Sequence, residues 1–321
     1  MRRRVPPADL RKVTTYPLAE RRNKVSVSEF GRPADPSEPL ESFLDGLSDV
    51  LAVRTLRDLA STVAGALAGE RTVAWAIGAH VVKVGQSPVL IRMMEEGALT
   101  ALALNGAGAI HDWEIAAIGA TSEDVAAGLH LGRFGMAEET GREINEAAAE
   151  AASRGEGLGE TLGRRIVESG RPFRDRSLLG RAFELGVPAT VHVAVGSDIV
   201  HQHPSANGAA IGAATFTDFR RLITVVGGLS GGVWINCGSA VQLPEVFLKA
   251  LSVAENLGHD VADFATANLD MIRHYRTEEN VLRRPTAGKG RAFSLIGHHE
   301  INVPLLAAAI AIERKRHAAR R

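Results

Sequence analysis

Cysteine is almost absent from this chain. The single Cys237 in 321 residues rules out an internal disulfide and fits a reducing compartment. It follows an apolar stretch at Val233–Asn236 and reads as a buried, unreactive thiol. Aromatic residues are scarce as well, at 5%. That leaves too few to interleave with basic residues on a nucleic-acid surface. Charge of either sign is not in excess: Lys+Arg and Asp+Glu stand at 37 each, so nothing draws the chain as a whole to nucleic acid or an acidic membrane. No apolar run is long enough to span a bilayer without polar interruption. The opening MRRRVPPADLRK is basic but lacks an apolar core behind it, so it does not read as a secretory signal. A nucleophile elbow G-x-S-x-G, a Walker lysine and C-x-x-C are all missing. The remaining expectation is a cytoplasmic enzyme that uses neither nucleic acid nor membrane.

What is present is ordinary globular material, 45% hydrophobic and 23% charged, long enough for a large core. Residues 1–40 are basic, proline-bearing and irregular, an arm that is ordered only if it docks on a surface. Residues 41–312 alternate helical and strand-like segments and are expected to form one domain. Residues 313–321, ERKRHAARR, form a basic tail.

Within the middle zone, apolar spacing predicts helices over Leu40–Ala68, Pro88–Glu96, Ser122–Leu131, Ala137–Ala152, Thr161–Ser169, Ser177–Leu185, Asp218–Val226, Pro244–Leu257 and Val303–Arg314. Strands are predicted at Thr72–Ile77, Leu99–Leu104, Thr190–Val195, Val233–Asn236, Val261–Ala267 and Arg291–Ile296. Strands separated by helices imply an α/β fold of Rossmann-like type, an open, mostly parallel sheet with helices on both faces.

The most informative stretch runs from Gly78 to Gly141. A strand at Leu99–Leu104 leads into the small residues Asn105-Gly106-Ala107-Gly108 and then His111-Asp112. Small residues let backbone N–H groups approach a pyrophosphate, although the third glycine of G-x-G-x-x-G is replaced by His111. A second glycine-rich loop, Gly227–Gly232, precedes a strand and reads as a connector. His80, His111, His192, His201, His203 and the pair His298-His299 fall at or just after strand ends. His-x-His on an extended segment places both rings on one side, which suits a metal, though no zinc-protease spacing is present.

Order and wording along residues 45–312 resemble the deoxyhypusine synthase family. Gly85 sits where that family has a glycine in a Ser-Ser-Gly-type turn. Asn105–Gly108 and Asp112 match its NAD-contacting turn and the acid after it. Asp198 falls on the aspartate that contacts the polyamine. Asn236–Ser239 falls on a triple-glycine turn with Gly238 kept, and Thr266-Ala267-Asn268 resembles Thr-Ala-Gln. Glu279 matches a glutamate shortly before the active-site lysine, and Pro304-Leu305-Leu306 matches a helix start near the C-terminus.

The resemblance implies hydride transfer from a polyamine to NAD, an imine passed to an enzyme lysine, and transfer to an acceptor amine. Laid on the family segment without a gap, this chain puts Pro285 at the lysine and Arg283 at the tryptophan of Trp-Gly-Lys. A four-residue shift brings Gly288-Lys289 to that Gly-Lys. The family histidine beside the polyamine falls on Leu243. The frame is kept while the site departs, which implies aminoalkyl transfer from a polyamine to a small amine rather than true deoxyhypusine synthesis.

The catalytic candidates are Lys289, Glu279, Asp198 and His298. The candidates for holding NAD are Gly85, Asn105, Gly106, Ala107, Gly108, His111, Gly238, Thr266, Ala267 and Asn268. The alternative is a homologue without NAD chemistry, binding a divalent metal at His80, His111 and His298, working by acid–base catalysis, or only binding a ligand. The family also implies a homotetramer in which the arm covers a neighbour's site.

Overall fold

The computed structural model describes residues 5–288 and 290–320. These fall into two compact units, one up to Val53 and the other from Arg54 onward.

The first unit holds three single turns of 3-10 helix, at Leu10–Lys12, Leu18–Glu20 and Val27–Glu29, and helix α1 at Leu40–Gly46. Local capping forms these turns. Ser26 and Glu29 satisfy each other's backbone N–H groups in a capping box. The Arg32 guanidinium reaches Glu38 at 2.8 Å and the Ser42 carbonyl at 2.7 Å. Leu44 is this unit's buried hydrophobic residue, while Leu10, Tyr16, Leu18, Val27 and Phe30 are exposed.

The helix expected over Leu40–Ala68 is two helices, α1 and α2 (Leu51–Ala68). Gly46 closes the first, and Leu51 starts the second from a left-handed backbone, φ 45°. Between them the Asp49 N–H turns away to the Glu29 carbonyl at 2.9 Å.

In the second unit six parallel strands lie in the order β3-β2-β1-β4-β5-β6. They are β1 (Val73–Ile77), β2 (Ala101–Asn105), β3 (Ala189–His192), β4 (Val233–Cys237), β5 (Ala265–Asp270) and β6 (Arg291–Ile296). The order reverses between β1 and β4, paired from Val73↔Val233 to Ile77↔Cys237. This is the doubly wound arrangement, and its crevice opens at the carboxyl ends of β1 and β4. Every residue of β1, β4 and β5 is buried, as helices on both faces require.

The helices in chain order are α3 (Ala79–Lys83), α4 (Ser87–Glu95), α5 (Gly106–Ile118), α6 (Val125–Leu129), α7 (Glu138–Arg154), α8 (Leu158–Glu168), α9 (Leu178–Leu185), α10 (Gly208–Gly227), α11 (Gln242–Asn256), α12 (Tyr275–Thr277), a π-turn segment Glu278–Arg283, α13 (Arg284–Thr286) and α14 (His299–Ala319). Under α11, Trp234 and Phe247 stack with ring centres 4.2 Å apart and anchor the core on that face. No helix among the described residues is long and apolar enough to cross a membrane.

Three differences from the sequence reading carry information. Asn105–Gly108 is not a free turn. Asn105 ends β2 and caps α5, its Oδ1 accepting the Gly108 N–H at 2.9 Å, so the glycines form the helix's first turn. The strand expected at Val261–Ala267 starts later, at Ala265, and runs to Asp270. Asp263, at φ 53°, breaks the extended run before it. The helix expected over Ser122–Leu131 shrinks to α6, because Asp124 caps it late.

Buried aspartates tie the elements together. Asp112 accepts from Ser177 Oγ at 2.6 Å, Leu178 N at 2.7 Å and Leu179 N at 3.0 Å, and so caps α9 from outside. Asp218 accepts from Gly159 N at 2.8 Å and Val191 N at 2.9 Å, joining the start of α8 to the edge strand β3. Thr215 completes that edge by accepting from Val193 N and donating to the Val191 carbonyl. Side chains of α10 therefore occupy backbone groups that β3 would otherwise leave unpaired.

Candidate functional site

The candidate site is the carboxyl edge of the sheet. At the switch point the two turns after β1 and β4 are packed together: the Gly78 N–H donates to the Cys237 carbonyl at 2.8 Å, and a Cβ on Gly78 would lie 2.0 Å from the Gly238 oxygen. Two histidine rings stand over this junction. His80, on α3, meets His299 edge-to-face with ring centres 5.9 Å apart. His299 Nδ1 lies 3.5 Å from Cys237 Sγ. Asp270, at the end of β5, accepts the Met271 N–H at 2.8 Å and stands 3.8 Å from His274 Nε2.

Toward β2 and β3 the edge is acidic. Asp198 lies against Gly106: a Cβ on that glycine would be 2.0 Å from Oδ2. Its Oδ2 is buried without a hydrogen-bond partner. Burial raises its pKa, against the opposing pull of His201. Burial also lowers that of His299, more than Asp270 counters it, so the ring is neutral at neutral pH. The Cys237 thiol is pushed up by burial and by Asp270, which keeps it protonated.

The sequence-derived residues are distributed as follows. Asn105, Gly106, Ala107 and Gly108 are at the carboxyl edge with Asp198, and Gly238 is there with His299. Gly85 makes a left-handed turn, φ 77°, just before α4. Thr266, Ala267 and Asn268 lie inside β5 with no exposed surface, and Asn268 Oδ1 accepts from Asn236 Nδ2 at 2.7 Å. His111 faces away along α5, its Nδ1 2.6 Å from Thr121 Oγ1 and close to Glu114.

Glu279 sits in the π-turn segment, bound by Arg283 at 2.9 Å and near Arg284 at 3.4 Å. Arg283's hydrogen bonds hold its carboxyl below the usual range. His298 caps α14 with its ring largely exposed, 3.9 Å from Glu300. Lys289 lies outside the described residues. Its neighbours Gly288 and Gly290 line a cleft with Arg71, Gly231 and Asp263, at the amino ends of the strands. The metal alternative is not assembled: among the described residues no three His, Cys, Asp or Glu side chains converge on one point.

Asp270 and His274 were not singled out from sequence, and His299 was noted only as half of the pair His298-His299, with His298 taken as the site residue. A signal for His299 was available. Val303, Leu306 and Ile310 are buried at helical spacing, and the same stripe carried back one turn reaches position 299 rather than 298.

No protein-family model matches the sequence, and no curated protein matches it. Solved structures do match. A protein of Methanococcus maripaludis S2, provisionally named a LOR/SDH protein, superposes with a TM-score of 0.53 at 14% identity, over 96% of this chain and 76% of its own. A protein of Entamoeba histolytica, provisionally named a deoxyhypusine synthase, gives 0.51 at 10% identity, over 88% and 96%. The arginine dihydrolase ArgZ of the ornithine-ammonia cycle in cyanobacteria gives 0.51 at 13%, over 82% of this chain. The chain spans about a third of that enzyme's length. These likenesses establish the fold, and the resemblance to deoxyhypusine synthases holds at that level.

Proposed function

We propose that the chain is an enzyme of small cationic amines working at the carboxyl edge, a deoxyhypusine synthase-like transferase that moves an aminoalkyl group from a polyamine to a small amine. One observation carries the reading: the buried Asp198 carboxylate has an oxygen without a partner, beside a glycine that leaves it room. A desolvated carboxylate is stabilised by a cation with N–H donors, and an ammonium supplies both. Overall the exchange breaks the carbon–nitrogen bond to the leaving amine and forms one to the acceptor amine. The acceptor's proton passes to the leaving amine, and no net oxidation occurs. His80 and His299, adjacent with ring centres 5.9 Å apart, favour proton handling at this edge.

NAD, which the family resemblance implies, does not fit the start of α5 as it stands. The Gly108 N–H is held by Asn105, and a phosphate approaching Gly106 would meet the Asp198 carboxylate. The arm is proposed to cover the site of a second copy in a homotetramer, supported by its exposed Tyr16, Leu18 and Phe30; a monomer by light scattering at micromolar concentration would end that part.

The test of the main reading is calorimetry with spermidine and putrescine, and with NAD in parallel, on the wild type and on Asp198→Asn. Binding of a polyamine that weakens about tenfold or more in the variant is expected, on the scale of a lost charge-assisted hydrogen bond. Equal binding by both proteins, or none by either, sinks it.

A further inference from the structure

We propose that Cys237 holds His299 as an uncharged hydrogen-bond donor at the switch point, its Nε2–H offered to a carboxylate or carbonyl oxygen of the ligand. His299 is the first residue of α14, a helix of 21 residues, and only 1% of it is exposed. The positive end of the helix dipole disfavours a second proton on the ring, and so does burial. Asp270 and Glu300 pull toward the charged ring, while His80 and His298 push against it; burial exceeds all four.

A neutral imidazole has one N–H and one lone pair, and the partner of one nitrogen fixes the state of the other. Nδ1 faces the Cys237 sulfur at 3.5 Å. That thiol is fully buried beside Asp270 and keeps its hydrogen. Its S–H therefore points to the Nδ1 lone pair, and the ring proton belongs to Nε2. No hydrogen bond from Nε2 to another described residue forms. Nε2 faces Gly238, where a Cβ would lie 2.8 Å away, so the glycine keeps the donor clear. Cys237 is thus a positioning residue and His299 the group that meets the ligand.

The donor also narrows the substrate class, on the premise that Asp198 holds an ammonium. Asp198 stands at the end of β2 and Gly238 at the end of β4, with β1 between them. Two strand spacings separate them by about 10 Å. A ligand that meets both carries an amine at one end and an oxygen acceptor at the other, as an ω-amino acid does.

The experiment is nitrogen NMR of the His299 imidazole near neutral pH, on the wild type, Cys237→Ser and Cys237→Ala, with δ-aminovalerate and its oxygen-free counterpart cadaverine as probes. The Nε2–H tautomer is expected in the wild type and in the serine variant, whose hydroxyl can replace the S–H. It should be lost as the single form in the alanine variant. δ-Aminovalerate should shift the Nε2 signal and bind about tenfold tighter than cadaverine, the worth of one hydrogen bond. A wild-type ring that is Nδ1-protonated or doubly protonated overturns the proposal, as does an alanine variant with an unchanged tautomer. Should the alanine variant not fold, the wild-type tautomer and its retention in the serine variant decide. Binding of δ-aminovalerate that leaves Nε2 unmoved overturns the ligand assignment. Binding of neither probe, with the expected tautomer in place, supports the Cys237–His299 link and sinks the amine reading of Asp198 instead.

Discussion

The Asp198 carboxylate fills the space that a side chain at position 106 would need: a Cβ on Gly106 would stand 2.0 Å from Oδ2. Glycine here is a requirement of an internal acid, not of an approaching phosphate. The helix N-terminus that the sequence offers to a cofactor is occupied by the protein's own carboxylate.

Gly106→Ala should therefore expel Asp198 from its place against the start of α5. The expected loss is about 1–3 kcal/mol of stability, together with loss of the proposed polyamine binding. In an Asp198→Gly background the same alanine should cost less, or stabilise by up to about 1 kcal/mol through its better helix propensity. Urea unfolding of the four proteins of this cycle measures the coupling. Additive effects would mean that the two residues do not compete for the space.

The parallel sheet and most of its helices were legible because apolar runs of strand length alternate with helical spacing, and tertiary packing did not override either period. The site was less legible. Asn105–Gly108 reads as a glycine turn, but an asparagine before small residues is also a helix cap, and the choice depends on Asp198, far away in the chain. Asn268 reads as a cofactor contact by position, yet it faces Asn236 on the neighbouring strand, a pairing set by register that one segment does not show. The His298-His299 pair was visible; which ring turns inward follows from the buried stripe of α14 rather than from the pair itself.

Asp112 gives a separate prediction. The resemblance places it beside the cofactor turn, while the structure uses it to cap α9 through three hydrogen bonds. Asp112→Ala should lower stability by about 2–4 kcal/mol, since buried donors at a helix start are left unmet. The proposed polyamine binding, measured below the variant's unfolding transition, should stay as in the wild type. A variant of normal stability with lost affinity would return Asp112 to the binding site.

Two buried groups should oppose each other in the pH dependence of stability. Asp218 is raised to about 7, chiefly by burial. The folded state then holds a proton that the unfolded chain has released, so this group's contribution to stability falls as pH rises from about 4 to 7. His192 is lowered to about 4 by burial. The unfolded chain binds a proton there that the folded state does not, so its contribution rises from about pH 4 to 6.5. Each slope is on the order of 1 kcal/mol per pH unit at most, and the two cancel across the shared window. Asp112, raised to about 6 by burial, adds to the Asp218 side. Asp218→Asn should keep an acceptor for the Gly159 and Val191 N–H groups while removing the titration. The His192 slope then emerges, and the variant loses stability on acidification faster than the wild type. His192→Gln should do the reverse, gaining relative stability as pH falls from 6.5 toward 4. Melting temperatures of the three proteins across that window provide the check. Parallel pH profiles for all three would mean that neither group changes its proton occupancy on folding.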